Sequence, residues 1–331
     1  MPTFCRHGRF LARCPICTRQ APGAGAPARR RDDGRAAASA GVRPGERSRD
    51  APSAAGRRGR PTPAGVVVTR MARAPEDGYS SALVPGLRAS ADARRLAAEI
   101  AFAGARLELM AHDPPGLYAE ATLADDEEEA LWLLLLVTYL GPGEHGDPFA
   151  EIAAARTTWG SGENPDPDDV ALGPRHAHEP GHGARSLTAY RAWALAAGSQ
   201  SAALAGEATW SPQRRFARAF ERLAVDGLGR DARFELLTAA GALGLLRAEA
   251  DSLALGGRTP VVAAARRLFG IADVPLLERR ARELSDACGV PPAALDLALW
   301  NWGDPARRAT FGAADALGDP GPALAALRLP R

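Results

Sequence analysis

Four side chains near the amino end form the most specific chemical pattern in the sequence. They are Cys5, His7, Cys14 and Cys17, in the string CRHGRFLARCPIC. Zinc favours four thiolate or imidazole ligands in a tetrahedron, and a Cys-x2-Cys turn delivers two thiolates to one ion. A Cys-x-His pair from the preceding turn can supply the other two. With all four positions filled by protein no place is left for an activated water, so the expected Zn2+ is structural. A segment this short has no core of its own, and metal binding would provide most of its folding free energy. A redox or incidental cysteine group is the alternative. Arg6, Arg9 and Arg13, interleaved with Phe10, suit a nucleic acid, a protein partner or plain solvent equally well.

Three further constellations could do chemistry. His176-x-His178-x3-His182, with Glu179 between, has a spacing that can bind a second metal, and it is also an ordinary composition for a surface loop. Asp296 and Trp300 stand four apart and share a helix face. An acid beside an indole suits base handling through proton transfer and stacking, which makes Asp296 the candidate catalytic residue and Trp300 a candidate nucleic-acid contact. The structural alternative has Asp296 accepting hydrogen bonds from a helix end while Trp300 packs in the core. Arg215, Arg218 and Arg222 follow Ser211-Pro212 at spacings of three and four. They would track a phosphate backbone, or else form a solvated face with partners such as Glu221.

Composition bounds what can position these groups. The chain has 331 residues, a hydrophobic fraction of 46% and only 6% aromatics, and it is rich in Ala, Leu and Arg, which favours helices. All 41 basic residues are arginine, which excludes Schiff-base chemistry and a phosphate-binding lysine. Residues 1–65 carry 14 arginines against four acids, so the overall charge of +2 conceals a basic arm on a mildly acidic body. No signal peptide is visible. The longest apolar run, Leu131 to Val137, is far shorter than the ~20 residues a membrane helix needs. A cytoplasmic protein with no membrane partner is expected, with Cys288 as a small buried residue.

The pattern divides the chain into a zinc-binding module (1–18), a disordered basic linker (19–65), an all-helical domain (66–310) and a C-terminal tail (311–331). The linker is rich in Ala, Gly, Pro, Arg and Ser and cannot bury enough apolar surface to offset its ordering entropy. VVVTRM from Val66 is the only β-like run. Helices are expected over Ala91–Met110 with Ser90 as cap, Ala130–Leu140, Ala150–Trp159 and Leu187–Ala197. Others follow from Ser211 to Ala224, then over Ala232–Ala240, Leu245–Leu253, Pro260–Phe269, Val274–Ala287 and Pro292–Trp302. Residues 160–186, rich in Gly, Pro, Asp and His, read as a long functional loop.

Three stretches of this body resemble the second half of a helix-hairpin-helix DNA glycosylase domain. Leu236-Leu237-Thr238-Ala239-Ala240-Gly241-Ala242-Leu243-Gly244, followed by Leu245–Leu253, resembles the hairpin whose glycine turn lets backbone amides approach a DNA phosphate. On that resemblance Gly241 and Gly244 become nucleic-acid contacts, although the spacing is Gly-x-x-Gly where the family has Gly-x-Gly. Thr259 to Gly270 resembles the segment that opens with the catalytic aspartate. No acid occupies it; Thr259 or Val262 stands near that position, so excision through such a residue is lost. Lysine-dependent lyase activity is excluded as well. Leu295-Asp296-Leu297-Ala298-Leu299-Trp300-Asn301-Trp302-Gly303 resembles the closing helix, and also a branch expected to act on modified thymines, the α-glutamyl/putrescinyl-thymine pyrophosphorylase group.

Two functions are compatible with these features. In the first, the zinc module and basic arm deliver a helical, glycosylase-like domain to DNA, where it binds or modifies a base; as an enzyme it would be base-modifying. In the second, the fold is a non-enzymatic adaptor that docks a protein through the zinc module.

Overall fold

The computed structural model describes residues 74–330. Cys5, His7, Cys14 and Cys17, the 19–65 segment and the VVVTRM run lie outside the described residues. Among the described residues the secondary structure is helical, with no strand, so the all-α expectation holds there. In chain order the helices are α1 (Ser90–His112), α2 (Leu117–Leu123), α3 (Glu127–Leu140), α4 (Ala150–Ala155), α5 (Arg185–Ala196), α6 (Gln200–Ala205), α7 (Pro212–Arg222), α8 (Arg230–Ala242), α9 (Pro260–Phe269), α10 (Val274–Cys288), α11 (Pro292–Gly303) and α12 (Gly321–Ala326).

Two helices with nearly continuous apolar sequence form the centre. In α11 every residue from Ala294 to Gly303 is buried, and α3 is buried from Ala130 to Leu140 except for Leu133. α11 packs against α1, α9 and α10, whereas α3 lies on α2 and α8. Each leucine so buried contributes roughly 1.5–3 kcal/mol relative to exposure. Polar contacts fix the register of α11 against α1: the Trp302 indole donates to the Asp92 carbonyl at 3.1 Å, and Arg95 donates to the Trp302 carbonyl at 2.6 Å.

Most helix ends follow the expected chemistry. Asp126, Ser211, Thr259 and Asp273 each accept a backbone N–H from their own first turn, and Gly270 and Gly289 close α9 and α10 in the left-handed region. Ser90 departs from expectation. It is the first residue of α1 and caps nothing; instead its N–H and hydroxyl both donate to the Asp77 carboxylate, which does the capping from outside the helix.

Two expected helices need correction. The Ala150–Trp159 segment stops at Ala155, because the Trp159 and Gly160 N–H groups donate to the Glu129 carboxylate at 2.8 and 2.9 Å. The Leu245–Leu253 segment is not helical. Its backbone finds partners elsewhere: the Leu246 and Glu249 N–H groups donate to the Ala240 and Pro212 carbonyls, and at its end the Leu253 N–H donates to Glu278 while the Leu253 carbonyl accepts from Arg230. Backbone carbonyls outside the segment and side chains from two other helices thus take groups that a helical ladder would have used. Three short helices, α2, α6 and α12, carry too little periodicity to be read from sequence.

The long 160–186 loop is tightly organised. Asp168 accepts from the Gly181 and Gly183 N–H groups at 2.6 and 2.8 Å and from His178 at 2.8 Å. Those contacts, the His178 bond first, hold its carboxyl at a pKa of about 2. The guanidinium of Arg191 lies over the rings of both Trp132 and Trp159 and donates to the carbonyls of Thr158, Trp159 and Glu163.

Candidate functional site

α8 and α9 both begin at the wall of one cavity of about 720 Å³. The loop before α8 (224–229), the first turn of α8, Arg258 to Pro260 ahead of α9, Trp300 of α11, and Arg175 to Ala177 at the end of the long loop enclose it. Gly229, in the N-cap position of α8, offers no side-chain cap, so the first-turn amides of that helix are left for another acceptor.

Beneath the cavity lies a buried charge network. Asp296, 1% exposed, accepts from Arg175 on one carboxylate oxygen and from Arg230 on the other. Arg230 also contacts Asp231 at 3.0 Å. Glu235 accepts from Arg106 at 2.5 Å and stands 4.0 Å from Arg175. Three guanidiniums therefore face three carboxylates. Aromatic faces complete their surroundings, with Arg175 over Trp300 at 5.0 Å, Arg230 over Phe234 at 4.5 Å and Arg106 over Phe311 at 4.6 Å. Desolvation alone would raise the Asp296 pKa, but Arg230 and Arg175 reverse it and hold the carboxyl below its ordinary value.

The sequence-derived candidates fall in different places. Trp300 lines the cavity, its indole donating to the Arg307 carbonyl at 3.0 Å. Asp296 lies under the floor and reaches the cavity only through Arg175 and Arg230. Gly241 and Gly244 line a second cavity of about 530 Å³ together with Thr238 and Arg247, so the glycine turn and Asp296 do not share one concave surface. Gly241 is inside α8, and a methyl group there would collide with the Ala248 carbonyl oxygen; Gly244, at φ +74°, makes the left-handed turn that ends the helix. On α7, Arg218 and Arg222 are exposed, while Arg215 is buried and donates to the carbonyls of Ala205 and Glu207. Arg214 is the exposed member in its stead, with its guanidinium over Trp210 at 5.0 Å.

The three histidines separate. His178 is buried between Tyr139 and Asp168, at 3.0 and 2.8 Å, and His182 pairs with Glu179 at 3.1 Å. His176 lines the cavity, and its Nδ1 has no hydrogen-bond partner; burial, assisted by Arg307, keeps its pKa below the ordinary imidazole value. Among the described residues no group of three metal-ligating side chains converges, so the spacing does not become a second metal site there. The Cys/His module lies outside the described residues.

Sequence reasoning missed Arg175, Arg230 and Arg258. The partners of the first two lie 121 and 66 positions away, and no local pattern announces such pairs.

These observations define an all-helical domain built round a cavity with an ion-paired arginine floor. A family model described as alpha-glutamyl/putrescinyl thymine pyrophosphorylase clade 3 matches residues 176–312, under half of the chain but including every cavity residue except Arg175. No curated protein and no solved structure matches the chain.

Proposed function

We propose that this chain acts on DNA as a base-modifying enzyme, exchanging an amine substituent of thymine against pyrophosphate in the cavity between α8 and α9. The observation that carries the reading is the family match over 176–312, which contains nearly the whole cavity wall. In the direction of modification an amine attacks the substituted carbon of the base. A C–N bond forms, the C–O bond to pyrophosphate breaks, the electron pair leaves with pyrophosphate and the amine gives up a proton. The charge that develops is negative, and a cavity supplied with guanidiniums and uncapped helix amides suits it. The glycosylase-like assignment belongs to the same proposal: Thr259, near the position where that family carries its aspartate, lines the cavity.

DNA delivery is assigned to the exposed arginines of α7, Arg214, Arg218 and Arg222, and to the basic arm. The amino-terminal Cys5, His7, Cys14 and Cys17 are assigned a structural Zn2+. α7 leads into the cavity wall, Arg222 standing two residues before Ala224. Nothing among the described residues favours the adaptor reading.

The test uses the full-length chain with oligonucleotides containing α-putrescinylthymine, α-glutamylthymine or plain thymine, with and without pyrophosphate. Expected is pyrophosphate-dependent loss of a modified base and release of its free amine, read by mass spectrometry, with DNA binding that weakens steeply as salt rises. No base change under any condition removes the reading.

A further inference from the structure

We infer that the amine handled by this cavity is an acidic amino acid, glutamate, and that Arg258 selects it over a diamine; this rests on the functional reading above. The argument is one of charge. Of the carboxylates in the wall, Asp231 is 3.0 Å from Arg230 and Asp226 is 2.6 Å from Arg185. The floor below is balanced, with Asp296 between Arg175 and Arg230 and Glu235 against Arg106. Arg258 is different. It is exposed, lines the cavity next to Thr259 and Pro260, and among the described residues makes no ion pair or hydrogen bond.

The uncompensated charge of the cavity is therefore a single guanidinium at its rim. Glutamate is a net anion whose carboxylates match the forked guanidinium donors, and its amine can point inward while a carboxylate is held outside. Putrescine is a dication. It would meet carboxylates that each already have an arginine beside them, together with an unpaired cation at the entrance, so like-charge repulsion opposes it. Arg258 follows Gly256 and Gly257, the latter at φ +86°, with open space beside both α-carbons. The backbone can thus present this side chain without disturbing the Thr259 cap of α9.

The experiment measures binding of glutamate and of putrescine to the full-length protein by calorimetry, each alone and with pyrophosphate present. Expected is salt-sensitive glutamate binding and none of putrescine. Arg258→Gln should weaken glutamate by about tenfold or more, Arg258→Lys should retain most of the affinity, and Arg258→Glu should reverse the preference. Circular dichroism should show all three variants folded, since the side chain is exposed. Putrescine binding in either condition, glutamate binding unaffected by Arg258→Gln, or no binding of either amine would each overturn the inference. The oligonucleotide assay reads the base-modifying function separately: loss of putrescinyl- but not glutamylthymine would keep that function and sink this specificity.

Discussion

Asp296→Asn tests whether this carboxylate holds the cavity floor together or is available for chemistry. The substitution keeps the shape and removes the charge that Arg175 and Arg230 share, leaving one buried guanidinium without a counter-charge. Deleting one partner of a buried pair costs roughly 3–5 kcal/mol. The amide oxygen can still accept from one arginine, which places this variant near the lower end, about 3 kcal/mol. For a domain of this size each kcal/mol shifts Tm by roughly 2–4 °C, so a fall of about 6–12 °C is expected by circular dichroism. Asp286→Asn, on the exposed face of α10, is the control and should stay within about 0.5 kcal/mol of wild type. The pH dependence has a definite sign. Because the folded-state pKa of Asp296 is lowered, its contribution is complete above the ordinary carboxylate range and fades as pH falls through the folded value. The gap between wild type and variant should therefore be widest near neutrality and narrow on acidification. A variant that melts within a degree of wild type and yet loses base-modifying activity would refute the structural role and restore Asp296 as a catalytic acid.

Two further outcomes follow from the same geometry. Gly241→Ala should lower stability by about 1–3 kcal/mol in urea denaturation although alanine is the better helix former, because the added methyl meets the Ala248 carbonyl; unchanged or higher stability would show that the contact yields easily. Full-length protein should contain one zinc per chain by elemental analysis, and Cys14→Ser with Cys17→Ser should abolish it, whereas wild-type protein well below one equivalent would end the zinc assignment.

Local signals in the sequence were readable where one residue type answers one local need. Ser211, Thr259 and Asp273 each announce a helix start because their side chains bond the N–H three residues on, and Gly289 announces a stop because it tolerates the left-handed turn. Failures arose where the deciding partner is distant. Leu245–Leu253 has helical composition, but Pro212 takes the Glu249 N–H, and Glu278 and Arg230 take the backbone groups of Leu253. Arg215 follows the spacing of an exposed row and is drawn inward by the carbonyls at the end of α6. Asp296 and Trp300 share α11 as their spacing implied, but their surroundings depend on Arg175 in a loop 121 residues before Asp296.

That long-range pairing also bears on which chemistry the cavity can perform. Hydrolytic removal of a sugar-linked group builds positive charge at the sugar, and a carboxylate free to face that charge is the usual means of stabilising it. Here Asp231 and Asp226 are held by arginines, Asp296 lies beneath the floor between two more, and Thr259 stands near the position where the glycosylase resemblance would place an acid. Freeing any of those carboxylates means breaking an ion pair, with the buried ones the most costly. Departure of a pyrophosphate from a base substituent makes the opposite demand, since the charge that grows is negative. The uncapped first turn of α8 can meet it without breaking a contact. The charge arrangement therefore suits the proposed base modification, with the glycosidic bond retained, better than excision.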